Sequence, residues 1–311
     1  MLARLPRRRA VVLAVVCAAA ALGGCAAERA GGVAPADASR PAPSYEEVAS
    51  RYNERASRLE RLWARAVVEL RWRDKDGKKR WEQGDGALQR LAPDRFSLSV
   101  NKLGERIALV GCDAERFWLF EFGEPTLVSV ALNQNAASPC CDQTGLAASP
   151  LDIVDMLGVL PMPTGEAARR ANASVGWTAR GDDLRVEFDV RSGRMRIEYP
   201  PGGVGPSRIA LLVREPGGLR EALVARLDSY EPVTILGEGA VRPRLASRIF
   251  ITDPAAGSEV RLGLTDMSSG RPEQLPDAAF DFDALLDVFG PARIIVLDRR
   301  CERSALSMKG G

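Results

Sequence analysis

The feature that most constrains this chain is a two-residue hydrophobic period that recurs along most of its length. Ala66, Val68, Leu70 and Trp72 alternate with Glu69, Arg71 and Arg73. Leu184, Val186, Phe188 and Val190 alternate with Arg185, Glu187 and Asp189. After Arg191, Ser192 and Gly193, Met195, Ile197 and Tyr199 alternate with Arg194, Arg196 and Glu198. Leu223, Ala225 and Leu227 repeat the pattern, as do Val260, Leu262 and Leu264, and Trp118, Phe120 and Phe122 share one parity. Successive side chains of a strand point to opposite faces, so this alternation means a sheet buried on one side and wet on the other. Tight turns such as DKDGKK at 74–79 imply antiparallel order. Roughly a dozen strands are expected, and a sheet that large curls. The fold class is mainly β (α+β): a curled antiparallel sheet, or unclosed β-barrel, with helices covering an apolar concave face.

Two helices are expected as that cover. Ser44 with Glu47 three residues on reads as a capping box. Val48, Tyr52, Ala56, Leu59 and Trp63 then recur every three or four residues, an amphipathic helix of about 20 residues. At 149–158, Ser149 would cap a second helix and Pro150 stands at its first position. Leu151, Val154 and Leu157 face one way and Gly158 ends it. Between the two halves, 133–148 reads as a long polar loop. The pattern never resets, so 44–302 is expected as one domain, with 303–311 a frayed tail.

One hairpin stands out. In FSLSVNKLGERIAL, residues 96–109, Phe96, Leu98 and Val100 alternate with serines, and Ile107 and Leu109 alternate with Arg106 and Ala108. The joining NKLGE fits a type I turn closed by Gly104, where glycine accepts φ > 0. Turn tips are usually polar, yet this one carries Leu103. It reads either as an outward apolar probe or as a side chain folded back on the body.

The front of the chain points to an envelope address. Arg4, Arg7, Arg8 and Arg9 precede the uncharged run from Val11 to Ala21, too short to span a bilayer comfortably. Leu22-Gly23-Gly24-Cys25 follows and resembles the bacterial lipobox. That resemblance makes 1–24 a signal peptide and Cys25 a diacylglyceryl, usually also palmitoylated or otherwise N-acylated, first residue of the mature chain. Multiple acyl chains anchor a protein stably, at roughly 0.8 kcal/mol per buried CH₂. Ala26 in place of aspartate implies the outer membrane, facing the periplasm. The Ala-, Gly- and Pro-rich stretch 26–43 reads as a flexible tether reaching roughly 20–25 Å.

Composition excludes several classes. The net charge is +2, and loss of the four signal arginines takes it to −2, which leaves no footprint for nucleic acid. There is no His, the commonest general base and metal ligand. Neither a G-x-S-x-G elbow nor a Walker loop occurs, so no catalytic residue, metal or cofactor is assigned and the chain does not read as an enzyme. Asp182–Asp183 reads as a solvated turn, and Asp281 and Asp283 as an exposed alternation around Phe282. In an oxidising compartment Cys112, Cys140, Cys141 and Cys301 read as two disulfides. A bond between neighbouring Cys140 and Cys141 would be strained, which leaves Cys112 with one of the pair and Cys301 with the other. The alternative is free buried thiols.

Lipobox, tether, amphipathic helix and curled sheet together resemble the LolA/LolB family of lipoprotein carriers and receptors. The strongest local likeness is DRFSLSVNKLGERIAL at 94–109, which looks like a receptor segment. LDIVDMLGVLPMP at 151–163 and SRIFITDPAAGSEVRLGL at 247–264 also resemble the receptor, and PDAAFDFD at 276–283 resembles the carrier. The resemblance implies an unclosed barrel with helices over an apolar cavity, and acyl chains of lipoproteins or lipids as ligands. It implies a membrane- or acyl-facing role for Leu103. Trp63, Trp72, Trp81, Trp118 and Phe120 are expected either to line the cavity or to form plain core. The chain is longer than the receptor and carries an inserted cysteine loop. A non-catalytic assembly lipoprotein, using the same sheet to dock an envelope protein partner, is the alternative function.

Overall fold

The computed structural model describes residues 41–73, 77–132, 150–179, 181–200, 202–237 and 242–297. The signal segment, Cys25, Cys140, Cys141 and Cys301 lie outside the described residues, as does Ser149. The described residues all fall within one compact unit.

Fourteen strands of the described residues form one sheet. In chain order, the first half is β1 (Arg61–Arg73), β2 (Lys79–Leu91), β3 (Arg95–Lys102), β4 (Glu105–Cys112), β5 (Arg116–Glu121) and β6 (Leu127–Leu132). The second is β7 (Ser174–Trp177), β8 (Leu184–Val190), β9 (Gly193–Tyr199), β10 (Arg208–Glu215), β11 (Gly218–Pro232), β12 (Arg244–Asp253) and β13 (Ser258–Ser268), with β14 (Arg293–Val296) last. Each half is a meander, and β1 joins them by pairing with β13 as well as β2. The spatial order is β14-β6-β5-β4-β3-β2-β1-β13-β12-β11-β10-β9-β8-β7. All neighbours are antiparallel except β14, which runs parallel to β6. The sheet is therefore curled and unclosed. Both its edges, β14 and β7, are four-residue strands, and short edges limit edge-to-edge pairing.

The even residues of β1, Leu62, Ala64, Ala66 and Val68, join Leu88, Phe96, Leu98, Ile197, Ile249 and Leu262 in one buried cluster on the concave face. Each such large side chain contributes about 1.5–3 kcal/mol when fully buried. Close strand approach helps the sheet coil. A Cβ at Gly86 of β2 would collide with the Ser99 carbonyl of β3, so only glycine fits there.

Helix α1 (Tyr45–Ser57) starts as its capping box requires. The Glu47 amide donates to the Ser44 hydroxyl at 3.3 Å, and the Ser44 amide to the Glu47 carboxylate at 2.9 Å. The helix is shorter than its periodicity suggests. It ends at Ser57, and Trp63 belongs to β1, because the two-residue pattern takes over from Leu62. Tyr45, Ala49, Tyr52 and Ala56 bury into the concave cluster. Tyr52 meets Tyr199 of β9 edge-on at 6.2 Å, and Arg55 reaches the Arg244 carbonyl of β12 at 3.3 Å, so α1 covers the second half of the sheet. The segment 158–163 is clamped to α1 through Arg55 to Gly158 O (2.6 Å), Asn53 to Met162 and Tyr45 to Pro163 O (2.8 Å). Burial pushes the Tyr45 hydroxyl up to about 12. Helix α2 (Pro150–Met156) lies over the first half, burying Ile153, Val154 and Met156. A short α3 (Gly165–Arg170) precedes β7.

The convex face is not uniformly wet. Helix α4 (Phe282–Phe289) packs Phe282 and Leu285 against Leu109, Trp118, Phe120, Val128 and Val130 in a second cluster. Asp281 is its N-cap, accepting from the amides of Asp283 and Ala284, and Asp283 takes two hydrogen bonds from Arg116 at 3.1 and 3.2 Å. Both aspartates are exposed on either side of buried Phe282, as expected, and they also serve as a helix cap and an ion-pair partner. Asp182 is a turn residue, accepting from Thr178 Oγ1 at 3.0 Å.

Cys112 is fully buried on the concave side and carries a free thiol, and its expected disulfide partners lie outside the described residues. Its Sγ lies 3.3 Å from the Asp94 carbonyl oxygen. Burial raises the thiol to about 12, which leaves it unreactive.

Two outcomes test this packing. Phe282→Ala removes the central side chain of the outer cluster and lowers unfolding free energy by roughly 3–5 kcal/mol, read from urea denaturation. The second concerns Glu187, on the outer face of β8. Burial alone would raise its carboxyl, but hydrogen bonds from Arg196 (2.7 Å) and Arg194 (3.1 Å) outweigh that and lower it. Its contribution is therefore full above the ordinary value of 4.5 and fades as pH falls through the lower folded value. Glu187→Gln should melt below wild type at neutral pH, and the gap should close in strong acid.

Candidate functional site

The concave face is not completely filled. Beneath α2, at the end of the sheet where the tight hairpins cluster, a cavity of about 660 Å³ remains. That falls within the ~300–1,000 Å³ typical of small-ligand pockets. Its walls are Val68 and Leu70 of β1, Leu98 and Val100 of β3, Val110 of β4, Leu119 of β5 and Val260 of β13, with Ile153 of α2 above. Arg71, Trp72, Glu121, Phe122, Glu124 and Glu259 stand at its mouth. The walls are apolar because neighbouring strands pair like with like: Leu98 lies opposite Val110, and Val110 opposite Leu119.

A bulge shapes one wall. Val100 opposes Ala108 and Asn101 opposes Arg106, which makes Ile107 an additional residue on β4. Ile107 and Ala108 both border the cavity as a result. Beyond the bulge the parity is inverted. Ala108 and Val110 face inward, whereas Leu109 faces outward beneath α4 and does not share a face with Ile107.

The five expected aromatics go to different places. Trp72 stands at the mouth. Trp118 and Phe120 are wholly buried on the convex side, where Trp118 lies 5.5 Å from the Phe282 ring. They are core under α4 and do not line the cavity. Trp63 packs outside against Leu275 and Phe280, and Trp81 is 57 % exposed, opposite Arg71. The residues that sequence reasoning missed are aliphatic: Leu70, Leu98, Val100, Val110 and Leu119. Cross-strand pairing is the signal that finds them: Leu70 lies opposite Val260, Leu98 opposite Val110, Val100 opposite Ala108 and Val110 opposite Leu119.

A buried cation was also missed. Arg90 of β2 is 1 % exposed on the concave side, and its Nη1 donates to the Leu59 carbonyl where α1 turns into β1. Burial lowers its affinity for the proton, and Tyr52 and Glu60 act in the opposite direction. The bond ties the α1–β1 turn to the floor of the sheet.

The hairpin between β3 and β4 is tighter than expected. Lys102 pairs with Glu105, leaving a two-residue turn of Leu103 and Gly104 with φ of +53° and +85°. Two positive values define a type I′ turn, not type I, and its twist matches that of the strands. Gly104 accepts this geometry freely, whereas a leucine in the left-handed region costs roughly 1–2 kcal/mol. Leu103 is moreover 97 % exposed and does not fold back on the body. It sits at the same rim as the cavity mouth, since Ala108 pairs with Glu121. An unfavourable backbone and an unfavourable surface coincide at one residue, which marks a site held for a purpose other than stability. Leu103→Asn should raise unfolding free energy by about 1 kcal/mol, read from the urea midpoint, because asparagine tolerates the left-handed region.

No protein-family model and no curated protein matches the chain. Solved structures similar to it include a LolA superfamily protein of Nitrosomonas europaea, at 14 % identity and a TM-score of 0.47 over 78 % of this chain and 99 % of that one. A Vibrio parahaemolyticus domain named for outer membrane lipoprotein sorting is similar at 12 % identity and a TM-score of 0.45, over 70 % of this chain and 90 % of its own. A DUF1329 family protein of Desulfovibrio piger is similar at 12 % identity and a TM-score of 0.49, over 78 % and 100 %. The chain's own architecture is the one that the sequence led us to expect: a large curled antiparallel sheet, open between its edges, with helices over an apolar concavity.

Proposed function

We propose that this protein is a non-catalytic, membrane-anchored lipoprotein of the bacterial envelope that holds acyl chains in the cavity beneath α2. The acyl chains belong to lipoproteins or to envelope lipids, and Cys25 supplies the anchor at the outer membrane. The observation that carries this reading is the cavity itself. It is walled by aliphatic side chains, open at one rim, and within the size range of ligand pockets. A hydrocarbon tail entering it would gain area burial at about 25 cal/mol per Å² without needing polar partners. Leu103, beside the mouth, is the residue that contacts the membrane or the acyl chain during transfer.

Lipid extraction or native mass spectrometry on the chain from Ala26 onward tests the reading. An acyl-bearing species should co-purify, and Val100→Trp, which fills the cavity, should remove it. Leu103→Glu should keep both the fold and the bound lipid while slowing delivery to vesicles about tenfold, the effect of losing roughly 1.4 kcal/mol. A lipid-free protein whose affinity for a fluorescent fatty acid is unchanged by Val100→Trp would overturn the reading. A stable protein partner captured by such a lipid-free chain would favour an assembly role instead.

A further inference from the structure

The rim that carries the cavity mouth also carries a basic flank that acyl binding does not use. Arg71 and Arg73 end β1, Lys78 and Lys79 lead into β2, Arg80 follows, and Lys102 ends β3; all six are exposed. Over 71–82 the sequence holds six cations, including Lys75, against Asp74, Asp76 and Glu82. Within the flank Glu69 pairs with Arg71 and Glu82 with Lys102, Glu259 pairs with Arg261 at 2.8 Å, and Asp85 and Glu105 are exposed beside the cations. Across the mouth the β5–β6 side is acidic, with exposed Glu121 and Glu124. On the β1–β3 side of the rim the described cations, Arg71, Arg73, Lys78, Lys79, Arg80 and Lys102, outnumber the carboxylates Glu69, Glu82 and Asp85.

Two large apolar side chains stand within the positive flank. Trp81 is 57 % exposed and Leu103 97 %. With Val67 and the Lys102 stem they border one shallow groove. Cations around an exposed tryptophan and a projecting leucine match the polarity profile of a bilayer surface: phosphate outside, hydrocarbon a few ångströms deeper. Tryptophan favours that interface, and each nearby Lys or Arg adds attraction to an anionic leaflet. An acidic protein would satisfy the cations but would need a shaped pocket for Leu103.

We propose that this flank docks on anionic phospholipid headgroups, with its cations on the phosphates and Trp81 and Leu103 in the interface. Docking there presents the cavity mouth to the membrane; only this consequence rests on the acyl-binding reading.

The test uses the chain from Ala26 onward, which has no acyl anchor and contains the whole compact unit. Its sedimentation is compared with vesicles of phosphatidylcholine alone and with phosphatidylglycerol added. Binding should require phosphatidylglycerol, fall as salt rises, and weaken about fivefold for each cation removed in Lys79→Gln and Arg80→Gln. Trp81→Ala should weaken it further. A fluorescent fatty acid should bind all these variants as it binds wild type. Should the double variant melt early, Arg73→Gln provides the same reading. Equal binding to both vesicle types, or phosphatidylglycerol-dependent binding that survives removal of the cations, overturns the proposal. So does capture by polyglutamate without capture by vesicles. Vesicle docking without fatty-acid binding sinks the cavity reading and leaves the docking surface standing; fatty-acid binding without docking does the reverse.

Discussion

The constraint on which the rest depends is the burial of one face of a fourteen-stranded sheet. Strand twist makes a sheet this wide curl, and the curl gives it an inside larger than its own side chains can fill. Among the described residues, the helices and the segment 158–163 are what covers it. Helix α1 and the clamped segment 158–163 close the second half, where tyrosines and Arg55 pack tightly. Helix α2 has only seven residues and covers the first half incompletely. The void beneath it follows from that shortfall: a large concavity and a short cover. The cavity is thus a property of the whole architecture and not of a few special residues.

The outer face shows what happens where a second cover is added. Across β8 to β11 it stays wet, and arginines and carboxylates alternate there in ion pairs. Most of these pairs are half-buried, with both partners still reached by water. Across β4 to β6 it is dry, because α4 lays Phe282 and Leu285 onto Trp118 and Phe120. Arg116 bridges the two regimes, pairing with Asp283 while its guanidinium sits 4.9 Å from the centre of the Phe282 ring. The first half of the sheet is therefore a sandwich, with helix on both sides, and it is this doubly supported half that holds the cavity.

Much of this was legible in the residues. Alternation revealed the strands and the curl, and Ser44 with Glu47 revealed where α1 starts. Alternation, however, gives relative facing and not absolute facing. Trp118, Phe120 and Phe122 do share a face, but nothing local says that it is the outer one. The bulge at Ile107 compounds the difficulty, since one additional residue moves everything after it to the other side. The end of α1 was hidden because Leu59 and Trp63 satisfy the helical period while the strand period has already begun. The cap at Asp281 was a readable signal, but Asp-Phe-Asp also fits an alternating strand. The pairing of Cys112 could not be read at all: four cysteines admit several connectivities, and burial within the concave cluster decides against reactivity.

The joint between the halves has a consequence for how the molecule is made. Strand β1 is among the first structured segments to emerge during synthesis, yet one of its two neighbours, β13, lies nearly two hundred residues later in the sequence. Strand β6 likewise waits for β14, and the aromatics beneath α4 wait for residues beyond 280. A growing chain thus carries two bare strand edges and an uncovered oily surface until its final segments arrive. Such distant pairing slows folding and lengthens exposure to mispairing. Nascent copies should accordingly need shielding for most of their time in transit.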